Sequence, residues 1–99
     1  MSKRAISNRD IGKLTISPKA EHVLNDLKIP LGTLLERHRS GDWGDIPEWD
    51  AAVNLESIKD KNGMITSMYE MDHEVVFIRT ALCPISAPFT DVLTGWELN

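Results

Sequence analysis

The chain has 99 residues, of which 41% are hydrophobic and 26% charged, and its net charge is −4. That length sets one domain with a modest core, and no apolar run approaches the ~20 residues of a membrane-spanning helix. The single cysteine, Cys83, excludes an internal disulfide and points to a reduced, cytoplasmic setting. The first ten residues, MSKRAISNRD, lack the apolar stretch expected of a secretory signal. Charge is segregated along the chain: residues 1–39 carry eight basic against four acidic side chains, residues 40–99 three against eleven. Such a division steers charged partners.

Residues 1–12 read as a basic arm, mobile or weakly held, ahead of a single α+β domain over 13–99. Leu14-Thr15-Ile16 is strand-like. Ser17-Pro18 starts a helix, with Ser as N-cap and Pro at the first helical position. Ala20, Val23, Leu24 and Leu27 then recur as one apolar stripe. Pro30 ends that helix and opens a second. Leu31, Leu34, Leu35 and His38 keep the same spacing there, which carries His38 onto the inward face in the last turn. Ser40-Gly41 stops the helix. A third helix begins at Pro47 and turns Ala51, Asn54, Leu55 and Ile58 inward. After the turn signal Lys61-Asn62-Gly63 the period changes to alternation. Met64–Met71 and Glu74–Leu82 are strands of a hairpin about Asp72-His73. The two prolines of 83–88 mark a loop, Phe89–Leu93 is a third strand, and Thr94-Gly95-Trp96 closes the domain.

This order predicts an α+β layer with three helices packed on one face of a small, mostly antiparallel sheet of three or four strands. The opposite sheet face takes Ser67, Tyr69, Arg79 or Thr80, and Thr90, according to register, since a slip of one residue exchanges the faces.

The chemistry-bearing residues concentrate in the run from His38 to Asp45. An imidazole at a helix C-terminus is favoured when charged, while desolvation pushes the other way. With Asp42 or Asp45 turned back toward it, His38 is a general acid or base; the plainer alternative is a core histidine that fixes the loop. Trp43 either plugs the joint between the second and third helices or offers its indole to a partner. Asp42, Asp45, Glu48 and Asp50 form an acidic face within nine residues. They lack the spacing of a calcium loop, and the histidines and Cys83 lack zinc-type spacing, so no metal or cofactor is expected. Asn54, Tyr69, Arg79 and Thr80, converging on His38, make up the inventory of metal-free RNA cleavage: an acid, a base and a cation on phosphate.

Arg37, His38, Ser40, Gly41, Asp42, Trp43, Gly44 and Asp45, followed by Asn54, Ser67, Tyr69, Ile78, Thr80 and Thr90, resemble a shared pattern. It belongs to a family of short proteins borne by phages and plasmids, with an H-x-S-G-D-W-G-D core. The resemblance covers about half the chain and implies a mobile-element role. The helix-then-sheet order also looks like the compact nuclease fold of barnase-, EndoU- and colicin-type ribonucleases, at the level of fold alone.

Two functions follow. One is an accessory protein that binds a protein or ribonucleoprotein complex of the host, such as an inhibitor of anti-CRISPR or anti-restriction type. Its acidic face at Asp42, Trp43, Asp45, Glu48 and Asp50, with Glu70, Asp72 and Glu74, would occupy a basic groove. The other is a small metal-independent ribonuclease or toxin. It would act on RNA with His38 as acid or base, Tyr69 as proton donor or orienter, Arg79 or Arg39 as phosphate clamp, and Asn54 and Thr80 as positioners. The acidic balance of the chain argues against the second, because phosphate contacts need Lys and Arg.

Overall fold

A computed structural model describes residues 6–95. Among them the chain forms four helices and four strands in the order α1 (Asn8–Ile11), β1 (Lys13–Ile16), α2 (Pro18–Leu27), α3 (Leu31–Ser40), α4 (Glu48–Asp60), β2 (Gly63–Met71), β3 (Glu74–Leu82) and β4 (Phe89–Thr94). The class is α+β.

Local chemistry sets the boundaries. The Ser17 hydroxyl accepts from the Ala20 N–H, and Pro18 opens α2. Pro30 and Pro47, both extended, precede α3 and α4. Gly41, at φ +96°, closes α3 in the left-handed region, where a glycine carries no Cβ penalty.

Of the three or four strands expected, the sheet has four, and one of its three pairings is parallel. It is a mixed four-stranded sheet ordered β1-β4-β3-β2, in which β1 runs parallel to β4 while β4–β3 and β3–β2 are antiparallel. The strand-like Leu14-Thr15-Ile16 is part of an edge strand, whose partner lies more than seventy positions further along the chain.

Residues 1–5 of the expected basic arm, and Trp96, lie outside the described residues. From Ile6 onward the arm is held. Ile6 is buried, its N–H donates to the Arg39 carbonyl, and a Ser7–Asp10 capping box starts α1.

All the fully buried strand residues share one sheet face, the one the helices cover. Ala20, Val23, Leu24 and Leu34 pack there against Tyr69, Val76, Ile78 and Val92. A second cluster joins Ile6, Ile65 and Leu82 with Ile11, Trp43 and Ile58. Ser67, Tyr69, Thr80 and Thr90 therefore face the helices, not the open side expected for them. The alternating register leaves Thr66, Met68, Phe77, Arg79, Asp91 and Leu93 on the other face, and each is only partly buried.

Candidate functional site

The apolar spacing of α3 does bring His38 inward, and the ring is 1% exposed. Its Nδ1 lies 2.6 Å from the Ser67 hydroxyl and its Nε2 lies 2.9 Å from the Thr80 hydroxyl. The Thr80 and Thr90 hydroxyls are 2.7 Å apart, and Thr90 donates to the Ile11 carbonyl at 2.7 Å.

Proton counting fixes every direction in this chain. A carbonyl only accepts, so Thr90 spends its one hydrogen on Ile11 and must accept from Thr80. Thr80 then accepts from His38, which places the ring proton on Nε2. Nδ1 of the neutral ring is left as an acceptor, and Ser67 donates to it. The result is a one-way relay from Ser67 through His38, Thr80 and Thr90 to Ile11. It ties β2, α3, β3, β4 and α1 together.

Burial lowers the His38 pKa from 6.5 to about 4, so the ring is neutral at physiological pH. The expected charged imidazole is thus corrected. The helix terminus is outweighed by desolvation, and the two carboxylates expected to hold the charge point elsewhere. Asp42 takes both sides of the Arg37 guanidinium fork, at 2.8 and 3.2 Å, which holds its carboxyl below the usual range. Asp45 accepts from the backbone N–H of Glu70 at 3.0 Å.

Tyr69 is likewise committed. Its hydroxyl donates to the Asp42 carbonyl at 2.7 Å, and burial pushes its pKa up to about 12. The Arg37 guanidinium stacks 4.5 Å from its ring centroid. Gly44 turns against the same ring at φ +74°; a Cβ there would meet the Met68 carbonyl and come within 2.6 Å of Tyr69 Cδ1.

The rest of the motif seals the outer edge of β2. An edge strand exposes a row of backbone groups, and here each outward residue is answered in turn. Ser57 donates to the Met64 carbonyl at 3.3 Å. The Asn54 amide, itself 1% exposed, donates to the Thr66 carbonyl and accepts from the Thr66 N–H, both at 2.9 Å. The Met68 N–H donates to the Trp43 carbonyl at 3.1 Å and the Asp45 N–H to the Met68 carbonyl at 2.7 Å, so Gly44 bridges β2 like a short parallel strand. The Asp45 carboxylate then takes Glu70.

Of the residues expected in a catalytic set, His38 and Thr80 meet in the relay and Tyr69 neighbours it. Asn54 is spent on the edge of β2. Arg79 stands on the opposite sheet face, where it pairs with Asp91 at 3.1 and 3.2 Å. It cannot reach His38, because strand alternation turns it away from its neighbour Thr80. The buried hydroxyl relay gives a substrate no accessible base.

Of the expected acidic face, Asp42 and Asp45 are structural, Trp43 packs into the second cluster, and Glu48 and Asp50 lie in the first turn of α4. Trp49 lies outside every motif of the sequence. It is 71% exposed, with Val53 one turn on at 53%. The available signal was that the apolar residues of α4 spread around its wheel and form no single narrow stripe, so some of those side chains had to face water.

A cleft of about 390 Å³ lies away from His38, between α2 and the hairpin turn, lined by Lys19, His22, Asp26, Asp72 and Glu74 among others. Among the described residues no three His, Cys, Asp or Glu groups are placed to hold a metal ion, and no helix is long and apolar enough to cross a membrane. No protein-family model, curated protein or solved structure matches this chain.

Proposed function

We propose that this protein acts by binding a macromolecular partner, as a mobile-element accessory protein such as an inhibitor of a host defence complex of anti-CRISPR or anti-restriction type. The observation that carries this reading is the complete use of His38. With both ring nitrogens bonded and the ring sealed from solvent, the group best suited to chemistry serves the fold. That leaves the surface to carry the function.

The surface that fits is α4. Trp49 and Val53 make an apolar spot, with Glu48 beside it and Glu56 and Asp60 further along the same side of the helix. Exposed tryptophan is the residue type most enriched where binding energy concentrates. The acidic surround suits a basic groove with an apolar pocket. The mobile-element role rests on the resemblance of the His38–Asp45 run.

The test is co-purification from a host that carries CRISPR and restriction complexes. The tagged protein should retain such a complex. Trp49→Ala should weaken capture by about 30-fold or more, the loss of a central anchor of about 2 kcal/mol, with the melting temperature unchanged. Capture that ignores Trp49 and Glu48 ends this reading. EDTA-resistant RNA cleavage that disappears in Ser67→Ala would return the ribonuclease in its place.

A further inference from the structure

The two edges of the sheet are treated in opposite ways. On β2, four successive outward residues are closed by Ser57, Asn54, the Trp43–Asp45 segment and the Asp45 carboxylate. On β1, the ladder to β4 uses the odd-numbered residues: the Lys13 N–H donates to Pro88 and the Ser17 N–H to Val92. Alternation then points the N–H and C=O of Leu14 and Ile16 away from the sheet. No side chain or loop among the described residues answers them. Lys13, Leu14 and Thr15 are exposed, Leu14 by 38%.

We propose that the β1 edge pairs with β1 of a second copy, in antiparallel register about a two-fold axis at Thr15, joining two four-stranded sheets into one of eight strands. Three features of the strand favour its own copy. First, Leu14 and Ile16 both offer a donor and an acceptor outward. The two-fold register sets Leu14 opposite the partner's Ile16 and Ile16 opposite the partner's Leu14, and so satisfies all the open groups of both chains.

Second, those side chains lie on the helix-facing side of the sheet, since Leu14 and Ile16 align with Thr90 and Val92. Ile16 lines a groove of about 210 Å³ with Leu24, Ile29, Pro30 and Leu31. The partner's exposed Leu14 would arrive beside that groove. Third, antiparallel pairing sets Lys13 opposite the partner's Ser17. A parallel pairing would place the one charged residue of the strand against its copy, which is unfavourable. The interface is self-complementary, as two-fold association requires, and small, so the dimer is weak.

The experiment is sedimentation of the whole chain up to roughly 1 mM, the weak end of specific association. The mass should rise from 11.1 kDa toward twice that value with concentration. Leu14→Pro removes one outward donor without touching the ladder to β4, and should abolish the rise. Thr15→Cys, in a Cys83→Ser background, should crosslink to its own copy under mild oxidation, because directly opposed non-hydrogen-bonded residues lie about 4.5 Å apart, within disulfide reach. Lys13→Cys in the same background should not. A chain that stays monomeric throughout overturns the proposal. So does a dimer that survives Leu14→Pro and fails to crosslink at position 15, since it would use another face. If Leu14→Pro does not fold, the crosslinking pair decides alone.

Discussion

Acid should weaken this fold through one residue in a defined pH window. The folded His38 ring titrates at about 4 and the unfolded ring at 6.5, with burial as the cause. The sign follows from proton linkage: below 6.5 the unfolded chain binds a proton that the folded chain refuses, so falling pH favours unfolding. The neutral ring's contribution is whole above 6.5 and gone below about 4. The gap is worth about 3 kcal/mol in full, of which about 2 kcal/mol is lost between about pH 7 and about pH 4.5. That is a large part of the 5–15 kcal/mol typical of small domains, and equals about 10 °C in melting temperature. Asp42, held low by Arg37, contributes in the same direction only below its ordinary 3.8, outside the window. Urea melts at the two pH values, repeated on His38→Gln, form the assay. The wild-type midpoint should fall with acid, and the variant, weaker at both pH values, should lose that dependence. Equal wild-type stability at both pH values would refute the reasoning.

Three substitutions test the remaining contacts. Gly44→Ala should cost about 3 kcal/mol or more in chemical denaturation, from positive-φ strain plus collision with Tyr69 and the Met68 carbonyl. Asn54→Asp keeps the acceptor for the Thr66 N–H but removes the donor to its carbonyl and buries a charge; a loss of about 2–3 kcal/mol is expected in the same melts. Arg79→Ala removes a half-screened ion pair with Asp91 on the open face and should cost no more than about 1 kcal/mol, with the pH dependence left intact. A loss of the acid response in that variant would mean Arg79 is coupled to His38.

Much of this was legible in the residues. Helical spacing carried His38 inward, Pro30 and Pro47 marked helix starts, and the change to alternation at Gly63 located the hairpin. The parallel partner of β1 was not legible, because pairing across such a separation leaves no local trace. Sheet facing was open for the same reason that register is: residues 67, 69, 80 and 90 alternate equally well in either phase. The destinations of Asp42 and Asp45 were hidden too. A carboxylate beside a glycine turn can close on a histidine, a guanidinium or a strand edge, and only the position of β2 decides. Asn54 facing inward was correctly anticipated, but its two bonds to Thr66 require knowing that β2 is an edge strand.

The buried relay requires a neutral His38 ring whose single proton sits on Nε2. Nitrogen-15 NMR of the His38 side chain, followed from about pH 7.5 down to about pH 5, observes that proton directly. An Nε2–H tautomer with an unprotonated Nδ1, unchanged across this range, is the result the relay predicts. An Nδ1–H tautomer, or an imidazolium forming with a midpoint near 6.5, would contradict it.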